Sequence, residues 1–428
     1  MTEHAPSAWL LDRARVTLVG LLFSFSVLSY FDRTILSIAA PQMMKDFGVS
    51  PTAMGSVFSA FILGYALLMI PCGHLTDRLG PRRTLMLMSL LSALFTLLIV
   101  AAGRPGLGTL MGVVPALFTI RLGLGVVTAP LYPACARMTA NWIPPVFHAR
   151  VQALVMAGSS LGAAIAPVLF TWMLLRFGWR WSFALAAGAT AAAGVWWVFY
   201  ARDYPPEKER PAASNARPHP GSWATLLANR NLLLLTFAYA TLGYFQYIFF
   251  YWIYYYFGEI QHLSPQVSAR YTTVLFLAEG AFMPLGGMIS DRLTRTYGGQ
   301  FGRRVVPIAG VACSALFTYA ATVSSTPVRV LACLSLALAL SSWCEGPFWA
   351  LVTKIGGEHV GGAGSILNTG AQIGGFFAPI ITPYIAAKAG WSWGLYVGSL
   401  VVLCGALAVY FVRIPAEQPA SVTEAAAV

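Results

Sequence analysis

Gly73-His-Leu-Thr-Asp77-Arg78-Leu79 returns as Gly287-Met-Ile-Ser-Asp291-Arg292-Leu293, an offset of 214 in a chain of 428 residues. A shared offset of half the chain length points to an internal duplication. Two further pairs extend it. Gly158-Ser-Ser-Leu-Gly162 through Pro167 returns as Gly370-Ala-Gln-Ile-Gly374 through Pro379, and Thr128-Ala-Pro130-Leu-Tyr132 returns more weakly as Glu345-Gly-Pro347-Phe-Trp349. The offsets of the last two differ from the first by only a few residues, so the order of segments is preserved in both halves.

The residues around these repeats are too apolar for water. Charged residues make up 10% of the chain and hydrophobic ones 57%, with a mean hydropathy of +0.68, whereas soluble domains carry about 25% charged residues. Crossing a bilayer takes about 20 apolar residues, and the hydrophobic runs and breakers give twelve spans, near 16–40, 53–75, 84–102, 107–137, 147–174, 179–200, 231–257, 267–290, 304–323, 328–353, 361–387 and 392–413. Runs of this length exclude a β-barrel. The expected fold is an all-α membrane protein with two pseudo-symmetric six-helix bundles, 1–202 and 230–414. A polar linker (203–229) containing Tyr204-Pro-Pro-Glu-Lys-Glu-Arg210 joins them, and a disordered cytoplasmic tail (415–428) follows.

The formal net charge is +12, but its distribution argues against a nucleic-acid partner. About eighteen of the 27 Lys and Arg fall on one side of the twelve spans and about seven on the other. That asymmetry places both termini in the cytoplasm, and the long first apolar run is expected to stay as a span rather than be cleaved. The six cysteines lack CxxC spacing, so packing is expected of them rather than disulfides or metal. No nucleotide loop, metal-ligand cluster or nucleophile with a positioned base is present in the sequence, so neither an enzyme nor a cofactor is expected.

Gly73-His-Leu-Thr-Asp77-Arg78-Leu-Gly80-Pro-Arg82-Arg83 resembles the loop signature of the major facilitator superfamily, with a degenerate copy between spans 8 and 9. Three segments are similar to the anion:cation symporter family within it: Tyr30-Phe-Asp32-Arg33-Thr34 with Ala39-Ala40-Pro41, Ser59-Ala60-Phe61 with Gly64-Tyr65, and Arg121 with Ala129-Pro130-Leu-Tyr132-Pro133. That family includes hexuronate, galactonate and glucarate transporters, sialin and the vesicular glutamate carriers. The resemblance implies a monomeric secondary transporter of the bacterial inner membrane, moving a small organic anion with protons, or sodium, by alternating access. An antiporter exporting a drug or metabolite and a transporter-like sensor remain open on the same scaffold.

Ionisable side chains at membrane depth cost about 2.5–3.5 kcal/mol each even on lenient scales, so those present are expected to face a cavity and have a function. Asp32, Glu279 and Glu345 are the candidate proton-coupling carboxyls. Arg33 and Arg121 cannot lose their charge and carry forked donors suited to a carboxylate. The resemblance adds Tyr65, Ser159, Trp349 and Asn368 to the substrate-binding set. It also exposes a departure, because many relatives have a glutamate seven residues after the arginine of span 4, where this chain has Thr128. The repeat places Glu345 at the corresponding point of span 10, which leaves two readings open: the second acid has crossed to the other half, or Glu345 neutralises Arg121 or a helix end. Asp77, Arg78, Arg82 and Arg83, with Asp291, Arg292, Arg303 and Arg304, are expected to gate the cytoplasmic end. Span 7 has eleven aromatic residues between Tyr244 and Phe257; the 3.6-residue period is expected to turn about half of them to lipid or packing and the rest to the cavity.

Overall fold

The computed structural model describes residues 13–103, 112–144, 147–205 and 222–413, without the side chains of Ile70, Gly73, His74, Asp77, Ala149, Ser222, Trp223 and Glu358. Most of the expected linker and all of the expected tail lie outside the described residues. The described residues contain helices and no strand. They are α1 (Arg13–Phe47), α2 (Pro51–Leu79), α3 (Pro81–Ala101), α4 (Val113–Thr128), α5 (Leu131–Trp142), α6 (His148–Tyr200), α7 (Ser222–Ala228), α8 (Arg230–Tyr255), α9 (Pro265–Tyr297), α10 (Gly299–Thr322), α11 (Pro327–Ser341), α12 (Glu345–Gly356), α13 (Val360–Ala389) and α14 (Trp391–Phe411).

Among the described residues, ten helical stretches are long and apolar enough to cross a membrane. One of them, α6, bends at Gly178, whose φ of 73° only glycine adopts easily, and so supplies two spans. The 30-residue α13 runs beside α8. The architecture is thus consistent with twelve spans.

Local sequence sets the helix ends identically in the two halves. Ser50 accepts the N–H of Ala53 and is followed by Pro51; Ser264 accepts the N–H of Val267 and is followed by Pro265. A serine cap with proline in the first turn starts a helix because the serine oxygen accepts one of the N–H groups that a helix leaves unpaired and proline has none to leave. Gly178-Trp179 likewise matches Gly390-Trp391, with positive φ at both glycines. The breaks correspond as well. Span 4 is interrupted between Thr128 and Leu131, and span 10 between Ser341 and Glu345, where three residues form a 3-10 turn.

Small residues set the helix spacing. A Cβ on Gly162 would lie 2.3 Å from the Val27 carbonyl oxygen, and one on Gly374 would lie 1.8 Å from that of Ala240. Helix α6 therefore closes on α1 as α13 closes on α8, backbone against backbone. The two halves meet through α2 against α13, α6 against α9, and α1 against α8. The bonds that join them include Lys45 to Glu259 at 2.8 Å, Ser59 Oγ to the Phe376 carbonyl at 2.6 Å, and Thr273 Oγ1 to the Ala164 carbonyl at 2.7 Å. Lys45 and Glu259 lie at the far ends of their spans from Arg78 and Arg292, so the halves are tied at the end opposite the repeated signature.

The aromatic run of span 7 differs from expectation. None of its eleven rings is exposed; all are buried or half-buried between the halves or inside the second. Phe58 of α2 stacks on Tyr251 with ring centroids 4.9 Å apart, and Trp252 donates its indole N–H to the Pro379 carbonyl. The rings spread around α8 because both of its faces are covered by other helices, not by lipid.

Candidate functional site

Between the halves lies a cavity of about 190 Å³, built from one face of each of five helices. From α1 come Tyr30 and Arg33, and from α8 Gln246, Tyr247 and Phe250. From α9 come Phe276, Glu279 and Met283, spaced three and four residues apart on one face. Ser159 and Ser160 of α6 and Glu345 of α12 complete the wall. The structure therefore brings Arg33, Ser159, Glu279 and Glu345 together.

Arg33 is 5% exposed. Its Nη2 donates to the Tyr247 hydroxyl across the interface between halves, and its guanidinium lies 4.9–5.4 Å from the ring centres of Phe61, Tyr247, Phe250 and Tyr30. Aromatic faces attract a desolvated cation and hold it in place, yet they satisfy none of its N–H donors. The Nε of Arg33 has no hydrogen-bond partner. A buried guanidinium with spare donors beside a cavity is suited to an incoming carboxylate. Tyr65 lies at the edge of the same aromatic cluster, 6.0 Å from the guanidinium.

Arg121 is fully buried and stands behind this wall. Its Nη2 donates to the Arg33 carbonyl at 3.2 Å and its guanidinium lies 4.9 Å from Phe61, the ring it shares with Arg33. Its charge reaches the cavity through Arg33 and Phe61 rather than by lining it.

Asp32 faces away from the cavity into the first half. Its Oδ2 accepts the Thr190 hydroxyl at 2.7 Å, whereas its Oδ1 has no partner. Asp32 borders a void of about 10 Å³ walled in part by Ser29, Ser92, Thr128 and Thr190, about the smallest space that takes one water molecule. Thr128, standing where relatives have an acid, lines the same void and donates to the Leu124 carbonyl.

Glu345 opens α12 immediately after the break in span 10, and its Oε2 accepts the Tyr239 hydroxyl at 2.7 Å. An acid in the first turn also faces the positive end of the helix. Glu279 lies in the middle of α9, away from either helix end, and no ion pair holds it among the described residues. Trp349 packs over Gly364 and is 39% exposed, outside the cavity wall. Asn368 joins the halves by donating to Met69 Sδ at 3.3 Å.

The expected gate is only partly visible. The Asp77 side chain lies outside the described residues. Arg78, Arg82 and Arg83 line a separate cavity of about 260 Å³ with Arg137 and Asp203, where Asp203 accepts the Arg82 backbone N–H at 2.9 Å. Asp291 and Arg292 are exposed, while Arg304 donates to the Val412 carbonyl. Sequence reasoning missed Asp203, Thr190 and Tyr239. Thr190 and Tyr239 are uncharged and give no signal of their own in an apolar span. Asp203 had one, as an acid flanking the linker.

The Major Facilitator Superfamily profile matches residues 22–355 and again 271–427. The chain belongs to that superfamily. It is 26% identical to a probable sulfoacetate transporter of Cupriavidus necator, over 94% of each protein. It is 28% identical to a hexuronate transporter of Bacillus subtilis, covering 97% of this chain and 98% of that one. A probable L-galactonate transporter of Escherichia coli is 27% identical, covering 96% of this chain and 92% of the relative. A bacterial homolog of the human lysosomal transporter Spinster, solved inward-facing and unoccupied, shares the fold with a TM-score of 0.76 at 15% identity, over 94% of this chain and 97% of the other. This superfamily member is a multi-pass membrane transporter and not an enzyme.

Proposed function

We propose that this carrier moves a small organic anion, a sugar acid or another carboxylate, together with protons by alternating access. The observation that carries this reading is Arg33, a buried cation with an unpaired donor, lining the cavity between the halves and bonded to Tyr247 of the second half. In this reading the substrate carboxylate binds Arg33 directly, and Arg121 holds the Arg33 backbone and adds its charge. Ser159 offers a hydroxyl on the same wall, while Tyr65, Trp349 and Asn368 join the site as the halves close.

Protons couple through Asp32, which borders a water-sized void in the first half, and through Glu345 and Glu279 across the cavity. Asp77, Arg78, Arg82, Asp291 and Arg292 gate the cytoplasmic end. With the basic loops inside, both termini face the cytoplasm of a bacterial inner membrane, and a single chain forms the whole pathway.

Proteoliposomes test this reading. Uptake of a labelled sugar acid under an inward proton gradient, abolished by a protonophore, is the expected result; export against that gradient, or ligand binding without flux, would overturn it.

A further inference from the structure

Five ionisable side chains stand at membrane depth around the cavity and behind it: Arg33, Arg121, Asp32, Glu279 and Glu345. Four have at least one side-chain hydrogen bond to the protein. Arg33 has Tyr247, Arg121 has the Arg33 carbonyl, Asp32 has Thr190, and Glu345 has Tyr239 and the start of α12. Glu279 differs. It sits mid-helix, its carboxylate makes no hydrogen bond or ion pair among the described residues, and it faces the same cavity as Arg33 from the opposite half. A carboxylate left alone in a low-dielectric cavity is costly, and the usual remedy is a cation.

We propose that Glu279 is the docking site for a cationic group on the substrate, so that the transported anion is a carboxylate which also carries an amino or quaternary ammonium group. This rests on the organic-anion reading above and narrows it. Arg33 takes the carboxylate end and Glu279 the cationic end. Phe250, Phe276 and Tyr247 line the same cavity, and aromatic faces attract an ammonium group that has left water. Simple sugar acids offer only hydroxyls at that end and leave Glu279 unpaired. A substrate charged at both ends would also bridge the two halves, giving binding energy to their closure.

Ligand-induced thermal stabilisation of the purified full-length carrier tests the assignment. The probes are γ-aminobutyrate and its trimethylammonium analogue, set against γ-hydroxybutyrate and succinate. ε-Aminocaproate and ε-hydroxycaproate cover a longer span. The zwitterions are expected to bind about tenfold tighter than the matched hydroxy acids. Glu279→Gln should erase that preference, and Glu279→Asp should retain it. Stabilisation of the Gln variant by hydroxy acids shows that it is folded. If wild-type carrier binds hydroxy acids or succinate as tightly as zwitterions, or if Glu279→Gln keeps the preference, the assignment is wrong. Carboxylates that bind without such preference but are lost in Arg33→Lys overturn the zwitterion assignment and leave the anion carrier standing. Failure of every carboxylate to bind overturns both.

Discussion

Arg33 and Tyr247 are separated by 214 residues, the offset of the repeated signature, and they are bonded to one another. Each stands where the other would be if the halves were exchanged, so the contact lies on the pseudo-twofold axis. Lys45 and Glu259 have the same separation and also pair. Duplication places equivalent positions face to face at the axis, and divergence has then made each pair complementary: cation with hydroxyl in the cavity, cation with carboxylate at one end.

From this contact it follows that Arg33 is more than a charge. Lysine retains the charge but not the forked donors or the flat face that fits among Phe61, Tyr247 and Phe250. Arg33→Lys should lower kcat/KM for uptake by about tenfold or more, close to 1.4 kcal/mol of lost binding. Tyr247→Phe, which removes one acceptor and leaves the ring, should cost less. Equal losses in the two variants, read from initial rates in proteoliposomes, would show that the hydroxyl rather than the guanidinium organises the site.

Asp32 makes no contact with the cavity, so its loss should separate coupling from binding. Asp32→Asn keeps an acceptor for Thr190 Oγ1 but cannot lose or gain a proton at neutral pH. Substrate exchange across the membrane is expected to stay within about threefold of wild type, while accumulation driven by a proton gradient is lost. Retained accumulation would move the coupling role to Glu345 or Glu279. The matching variant Glu345→Gln, compared in the same two assays, shows which half carries the second proton.

Fold and site were legible to different degrees, and for physical reasons. Membrane spans and the duplication are written in long-range composition and in the Gly-x-x-x-Asp-Arg spacing, so the helices and their pairing could be read. Arg33 and Glu279 were readable because charge inside an apolar run is rare. Burial order was not readable: Arg121 looked equivalent to Arg33, yet it lies one layer behind, since which face of α4 turns inward depends on the close approach of Gly125 to Phe61 of α2. The uniform burial of the span 7 rings was hidden for a similar reason. An aromatic side chain suits lipid, protein and cavity alike, and only the arrangement of neighbouring helices decides among them.

The close helix contacts make a prediction about stability. Alanine at Gly374 would put a Cβ 1.8 Å from the Ala240 carbonyl oxygen and push α13 away from α8, whereas alanine at Gly361 meets nothing within 4 Å. Gly374→Ala should destabilise by about 1–3 kcal/mol, lowering the melting temperature of purified carrier by several degrees. Gly361→Ala should leave it unchanged or slightly raised, because alanine favours the helix. A Gly374→Ala protein that melts with wild type would mean that this crossing is loose in solution.

The Lys45–Glu259 pair tests which end of the carrier is tied. It is exposed, with Lys45 at 69%, so its contribution to stability is about 0–1 kcal/mol. An energy of that size leaves the fold intact but shifts an equilibrium between open and closed ends by up to about fivefold. Nearby Ser59 is fully buried at the interface, donating to the Phe376 carbonyl, so cysteine there reports opening. In a background lacking the exposed Cys313 and Cys404, a membrane-impermeant maleimide should label Ser59→Cys slowly. Lys45→Glu or Glu259→Lys alone sets like charges against each other and should speed that labelling several-fold. The double swap restores an attractive pair and should return the rate close to its starting value. Labelling that responds to neither reversal would show that the apolar contacts of α2 with α13, and not this ion pair, hold that end shut.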